Sequence, residues 1–343
     1  MKAFRAGLVV GKFAPLHRGH QFLLEEAIRR CDELVILSYS VPELPGCDPG
    51  RRERWLTTLY PSARVVVLDD LRLAQWCRDT GRALVRMPAN GEGDDVHRRF
   101  VGWLLREMLQ VTVDAVFTSE AYGDGFAMLL GALQGSAATV MHVEIDRARL
   151  RHPVSGTTAR ADIHANRHLL DTVVYADFVE RVALIGGEST GKTTLAQALA
   201  LRLGTVWVPE YGRELWEARN GRLVYGDMLR IARMQIMREQ EGAKRAHRYL
   251  ICDTTPLTTL FYSQALFDQF DPEFVQLAAR QYDHTLLCKG DFDFVQDGTR
   301  RSKAFRDRQQ EWYVDELARR GIRAQWVEGS LEDRLARVER VLT

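Results

Sequence analysis

The sequence predicts an α/β protein built from two consecutive parallel-sheet domains, residues 1–178 and 179–343. Two observations carry that reading. Short apolar runs alternate with helix-forming segments along the whole chain, the pattern of strands joined by crossover helices. Two glycine-bearing turns, at residues 11–20 and 186–193, each connect a predicted strand to a predicted helix. A length of 343 residues suits two domains of ordinary size, each able to bury a core.

Residues 4–10 (Phe-Arg-Ala-Gly-Leu-Val-Val) read as the first strand. The turn at 11–20 leads into an amphipathic helix over 21–31, and a second buried strand follows at 33–39. Strand, helix and strand in that order form a right-handed crossover unit. A Pro- and Gly-rich loop (42–50), a helix (51–59) and a strand (64–68) come next. Beyond a polar loop at 87–95, the spacing predicts a helix over 96–108 and strands over 114–119 and 139–144. This alternation suits an open doubly wound sheet, which binds ligands at the carboxyl ends of its strands. Another loop-to-helix turn lies at 152–160, and 161–180 reads as mixed and helical. In the second half, strands are expected at 182–185, at 205–208 with an exit loop through 213, and at 248–253, 285–288 and 323–327. Helices are expected over 195–201, 228–245 and 309–320 and from Leu331 onward, with a polar, basic loop at 294–303.

Composition bounds the function. Hydrophobic residues make up 46% and charged residues 27% of the chain, as in globular proteins. Residues 1–180 hold 22 basic and 23 acidic side chains and the remainder 25 and 23, so neither half has the basic excess of a nucleic-acid binder. The five cysteines are scattered and form no C-x-x-C, which points to reduced thiols and a cytoplasmic protein. No apolar run approaches the length of a signal peptide or a membrane span. A homo-oligomer is compatible with the sequence but not indicated by it.

The turn Gly186-Gly187-Glu188-Ser189-Thr190-Gly191-Lys192-Thr193-Thr194 fits the P-loop pattern G-x-x-x-x-G-K-T, and it lies in the strand-to-helix setting that the motif requires. Its glycines let successive N–H groups and the helix N-terminus face an anion. Lys192 can reach the β- and γ-phosphates of ATP, and the Thr193 hydroxyl can ligate Mg²⁺. Two carboxylates stand at the ends of neighbouring predicted strands, Glu210 and Asp253. One would hold Mg²⁺ through water and the other would orient the acceptor hydroxyl, and the sequence leaves either assignment open; Thr193 and Asp253 are the candidate metal ligands. Asp297, Arg300 and Arg301 flank Gly298 in a loop suited to a lid over ATP. Tyr211 and Arg213 are further candidates for substrate contact.

In the first half, Gly11-Lys12-Phe13-Ala14-Pro15-Leu16-His17-Arg18-Gly19-His20 resembles the signature of the nucleotidyltransferases that transfer AMP or CMP between phosphates. A phosphate attacking the α-phosphorus of ATP is already anionic and needs no general base. It needs stabilisation of charge on the α-phosphate and on the departing pyrophosphate. His17 and His20, at a helix N-terminus, can donate hydrogen bonds to those oxygens. Gly11 and Gly19 permit close approach of the backbone. Val154-Ser155-Gly156-Thr157-Thr158-Ala159-Arg160 is similar to the second motif of these enzymes, with Gly156 where a serine is usual, so one hydroxyl is missing. The resemblance implies that Ser155, Thr157 and Arg160 grip the β- and γ-phosphates. Lys12 and the Arg51, Arg52, Arg54 cluster would add positive charge, although a solvated helix face explains those arginines equally well. Residues 118–120 would lie beside the nucleotide. Trp55, Trp76 or Trp103 could stack on a flat cationic ring, against the commoner role of core packing.

An adenylyltransferase followed by a small-molecule P-loop kinase resembles the bifunctional NadR family. The likeness includes Pro-Glu-Tyr-Gly-Arg-Glu at 209–214, Asp253-Thr254-Thr255 and Asp297-Gly-Thr-Arg300. It departs at Thr255, where the family carries a second carboxylate. The resemblance implies a Rossmann-like nucleotidyltransferase domain and a P-loop kinase domain. It implies ATP as co-substrate, Mg²⁺ as cofactor, nicotinamide riboside and nicotinamide mononucleotide (NMN) as substrates, and NAD as product. Some members carry an N-terminal helix-turn-helix; this chain begins at its first strand, so no DNA-binding role is expected. Two alternatives stay open. One is a nucleotidyltransferase–kinase fusion acting on another metabolite, and the other is a NAD-linked nucleotide sensor without turnover.

Overall fold

The apolar runs become two five-stranded parallel sheets. The structure is a computed structural model that describes residues 2–120, 122–135, 139–291 and 301–342. Contacts divide the chain into a unit ending at Asp177 and a unit beginning at Phe178.

The first sheet contains β1 (Phe4–Val10), β2 (Cys31–Ser38), β3 (Arg64–Val67), β4 (Ala115–Thr118) and β5 (Met141–Glu144), in the order β3-β2-β1-β4-β5. β1 is central, pairing Leu8 with Val35 on one side and with Val116 on the other. A central parallel strand is covered on both faces, which explains why β1 and β2 read as continuous apolar runs rather than alternating ones. Leu8, Leu24, Ile36, Leu37, Trp55 and Leu56 are fully buried. Each such side chain stabilises the fold by about 1.5–3 kcal/mol relative to exposure.

The second sheet contains β6 (Glu180–Ile185), β7 (Val206–Val208), β8 (Tyr249–Asp253), β9 (His284–Cys288) and β10 (Ala324–Val327), in the order β10-β9-β6-β8-β7. Here β6 is central, between β8 and β9. Two apolar cores lie about this sheet, one under helices Lys192–Arg202 and Leu331–Leu342, the other under helices Tyr225–Ala243 and Pro256–Phe267. In both units the chain reverses its strand order beside the central strand, and there a crevice opens at the carboxyl ends.

Several helices extend or add to the sequence expectation. Helix Arg18–Arg30 begins three residues earlier than expected, and helix Lys303–Arg319 takes in the end of the basic loop. Helices Asp70–Asp79, Gly123–Gln134, Pro256–Phe267 and Pro272–Leu277 fall in stretches to which no element is assigned above. The expected helix at 96–108 is an α-helix, Asp94–Trp103, that widens into π-type turns over Leu104–Leu109 and stops at left-handed Gln110. The five cysteines are all buried and free. Among the described residues, no helix is long and apolar enough to cross a membrane.

Candidate active sites

In the first unit the crevice opens between the ends of β1 and β4. It encloses about 330 Å³, with Lys12, His17, Gly19, His20, Ser155, Thr157 and Arg160 on its walls. His17 is the N-cap of helix Arg18–Arg30. Its Nδ1 accepts from the His20 N–H at 3.3 Å, while the His20 Nδ1 accepts from the His17 N–H at 3.5 Å. This reciprocal capping box stacks the two rings at 3.6 Å. With both Nδ1 atoms accepting, each neutral ring carries its proton on Nε2. Burial, then the nearby Arg149 guanidinium, lowers the His17 pKa to about 4. Burial and His17 hold His20 well below the usual imidazole range. The pair is therefore two neutral N–H donors at pH 7.

Ser155 caps helix Gly156–Ala161 through the Thr158 N–H at 3.1 Å, and the Arg160 guanidinium bonds the Ala14 carbonyl, tying the second motif to the first. Phe13 and Gly11 take no part in the walls. Phe13 is fully buried at φ 47°, and its ring folds back so that a Cβ on Gly11 would lie 2.9 Å from it. Gly19 makes room for the His17 ring and Val154 in the same way. Both glycines thus make room for the protein's own rings.

The arginine cluster also differs from expectation. Arg52 is 0% exposed, with Nη1 donating to Ser38 Oγ at 2.8 Å and Nη2 paired with Glu43 at 2.6 Å. It also donates to the Lys12 carbonyl at 3.3 Å, so it props the signature loop from below. Arg51 pairs with Asp48 and Arg54 with Asp177. Neither a cationic wall nor a solvated face describes Arg52. Trp55 is fully buried and donates to Asp177 at 2.7 Å, while Trp76 and Trp103 stand edge to face with each other and pack, partly buried, against the core. No tryptophan is among the residues lining this crevice. Ser119 and Glu120 do reach it, whereas Thr118 is buried and hydrogen-bonded to His142 at 2.8 Å. Arg149 and His152 line it without any motif to announce them.

In the second unit the P-loop follows β6. Gly186 stands at φ 141° and Gly191 at φ 75°, and a Cβ on Gly186 would come within 2.6 Å of the Cys288 carbonyl. Glycine is required there on both counts. Glu188, Ser189, Thr190, Gly191, Lys192, Thr193 and Thr194 line a cavity of about 330 Å³, together with Glu210, Arg213 and Arg301. Lys192 Nζ bonds the Gly186 and Gly187 carbonyls at 3.0 and 2.8 Å. Gly186 and Gly187 themselves lie outside the cavity lining. The Gly187 and Glu188 N–H groups donate to Gln310 and Gln309, each at 2.9 Å.

Asp253, at the end of β8, accepts from the Thr193 hydroxyl at 2.6 Å through Oδ2, while its buried Oδ1 has no partner. Burial raises its pKa. Glu210 opens helix Tyr211–Ala218 without capping it, and burial, then the Asp253 charge, raises its pKa. Tyr211 is packed in the core, its N–H donating to Gln235. Arg301 donates its N–H to Glu188 at 2.8 Å; Asp297 and Arg300 lie outside the described residues. An apolar part of the wall is made of Trp216, Leu223, Met228, Ile231 and Leu266. No sequence signal announces this wall, because its side chains come from three helices and the loop between two of them, brought together only by folding.

A family model described as an AAA domain matches residues 181–334. The trifunctional NAD biosynthesis/regulator protein NadR of Escherichia coli (strain K12) is 29% identical over 312 residues, 86% of this chain and 71% of that protein. NadR of Salmonella typhimurium is 29% identical over 311 residues, with the same coverage. The chain is similar to NadR over most of its length. Among solved structures, NadR in complex with NR has a TM-score of 0.69 at 21% identity, covering 98% of this chain and 95% of that one. NadR with NAD and AMP-PNP has a TM-score of 0.68 at 20% identity, covering 99% and 96%. At these identities the two structures show the fold: two α/β parallel-sheet domains, one carrying a P-loop.

Proposed function

We propose that this NadR-like chain is a bifunctional enzyme of NAD biosynthesis. Its second unit phosphorylates nicotinamide riboside with ATP, giving NMN and ADP. Its first unit joins NMN to AMP from a second ATP, giving NAD and pyrophosphate. The observation that carries the reading is the mixed lining of the cavity in the second unit, which combines a P-loop and the Glu210 carboxylate with a group of large apolar side chains. A nucleoside combines the matching features, a reactive hydroxyl and a flat ring.

Glu210 lines the cavity, whereas Asp253 is held by Thr193 and is not part of the lining. This favours Glu210 as the group that accepts the proton of the attacking hydroxyl, and its raised pKa suits a base. Asp253 and Thr193 fall to the metal side. Their hard oxygens, one of them buried without a partner, fit Mg²⁺, which is usually held by one or two protein groups plus phosphates. When bound, the ion neutralises phosphate charge. Lys192 then serves the β- and γ-oxygens, and Arg213 and Arg301 supply further positive charge from the rim.

In the first unit, an NMN phosphate oxygen would form the new bond to the α-phosphorus as the α–β bridging oxygen leaves with pyrophosphate. The two Nε2–H groups of His17 and His20 suit the α-phosphate and the bridging oxygen, without a proton having to move. Ser155, Thr157 and Arg160 hold the departing end. Incubating the protein with nicotinamide riboside, ATP and Mg²⁺ and weighing the products tests the reading: NMN, NAD, ADP and pyrophosphate are expected. Parallel reactions with riboflavin and pantetheine separate the other fusion chemistries. Binding of NAD without ADP or pyrophosphate release would replace catalysis with sensing.

A further inference from the structure

Two buried polar groups in the cavity of the second unit have nothing to bond to. Gln235 is 1% exposed; its Oε1 accepts from the Tyr211 N–H at 3.1 Å, but its Nε2 has no partner. Thr254 is 4% exposed with an unpartnered Oγ1, and its backbone stands at φ 81°, a left-handed conformation that a β-branched residue adopts only under strain. Both residues line the cavity. An orphaned donor and a strained hydroxyl in one cavity call for a ligand that satisfies them.

Their place along the cavity narrows what that ligand offers. Met228, Ile231 and Gln235 are spaced along one face of helix Tyr225–Ala243, so the apolar wall passes into the amide. The bond to Tyr211 tethers that amide beside Glu210, the preceding residue. Thr254 directly follows Asp253 at the end of β8, the strand next to β7. Each orphaned group is thus tied to a carboxylate-bearing segment, and Gln235 also continues the apolar face of its helix. In a nucleoside, the sugar lies between the reacting hydroxyl and the ring. We propose that Gln235 and Thr254 hold the vicinal hydroxyls of a ribose acceptor, making this unit selective for ribosides over deoxyribosides. The inference rests on the kinase reading above and names what sets its acceptor.

The test compares ADP formation with nicotinamide riboside and with its 2′- and 3′-deoxy analogues, in wild type and two variants. Gln235→Glu keeps the oxygen that accepts from Tyr211 and removes the free donor. Thr254→Gly removes the hydroxyl and relaxes the backbone, so it folds where a harsher change would not. A site built around a hydroxyl rejects the analogue lacking it, so wild type should favour the riboside by at least about 10-fold in kcat/KM. Each variant should bring that ratio below about threefold, a change that a merely structural role for Gln235 would not produce. A wild-type ratio near one, or a ratio that survives in both variants, overturns the inference and leaves the kinase reading standing. Absence of ADP with every riboside overturns the kinase reading, and this inference with it.

Discussion

His17 and His20 in the first unit and Glu210 and Asp253 in the second are pairs of titratable side chains at or past the carboxyl ends of parallel strands, β1 for the histidines and β7 and β8 for the carboxylates. Burial drives both pairs toward neutrality, lowering the histidines and raising the carboxyls. The consequences are opposite. A neutral histidine pair with both Nδ1 atoms capping a helix is a finished set of donors, ready for an anionic acceptor that needs no base. A buried carboxylate with a raised pKa is a stronger base, which a neutral hydroxyl acceptor requires. On the proposed reactions, the difference between the two crevices is the difference between a phosphate nucleophile and an alcohol nucleophile.

The largest expected effect breaks the two crevices apart. Lys192→Ala should reduce ADP formation from nicotinamide riboside by about 10²–10³-fold, the usual loss for one charge-stabilising donor. Pyrophosphate formation from NMN should stay within about twofold, since Lys192 lies in the other unit. His20→Ala should do the reverse. Coupled-enzyme assays of ADP and pyrophosphate read both, and joint loss in either variant would end the idea of separate sites.

The pH dependence sharpens the contrast. As the proposed base, Glu210 must be ionised to take a proton, and its pKa is raised by burial and by Asp253. The acid limb of kcat/KM for ADP formation should therefore lie above the range of a free glutamate, with activity growing as pH rises through it. Pyrophosphate formation should show no histidine limb between pH 6 and 8, because His17 and His20 are already neutral there. Activity profiles of the two reactions, taken side by side, decide this; a limb near pH 6.5 in the second reaction would contradict the neutral pair.

The same histidines carry a stability signature. His17 titrates at about 4 in the folded protein against 6.5 when free. The unfolded chain therefore binds the extra proton first as pH falls, and stability is lost between 6.5 and 4. His17 alone should account for up to roughly 3 kcal/mol of that loss. His17→Asn keeps an N-cap but cannot titrate. Urea melts at pH 7 and pH 4.5 should show a smaller drop for the variant; an equal drop would place the acid lability elsewhere.

How much of this was legible in the chain follows from the range of each signal. The P-loop and the first signature are local, with every residue within ten positions of the next, so His17, His20, Lys192 and Thr193 could be read off directly. Helices Gly123–Gln134 and Pro256–Phe267 escaped because apolar side chains stand on nearly every side of them, which blurs any 3.6-residue stripe. In the second case the Thr255-Pro256 cap was a usable start signal. Gln309 and Gln310 lie more than 120 positions from the loop amides they cap, and Gln235 is 24 positions from Tyr211. Pairings of that range exist only in the folded sheet. Arg52 misled for a related reason: among three arginines in four positions, nothing marks the one that turns inward.

The smallest expected effect concerns Gly156, where the first unit lacks a hydroxyl that its motif otherwise carries. A Cβ at this position would lie 3.0 Å from Arg160 Nη1 and 3.3 Å from the Ala14 carbonyl. The guanidinium end can yield, whereas the carbonyl belongs to the signature loop and cannot move as freely. Gly156→Ala should thus loosen the Arg160–Ala14 bond and raise the KM for ATP in pyrophosphate formation by about two- to fivefold, the loss of part of one hydrogen bond. Gly156→Ser suffers the same crowding but brings a hydroxyl to the rim where the triphosphate would sit, so it should recover most of that loss. Equal KM values for the two variants would mean that the rim beside Gly156 does not touch the nucleotide, leaving Ser155, Thr157 and Arg160 to hold it alone.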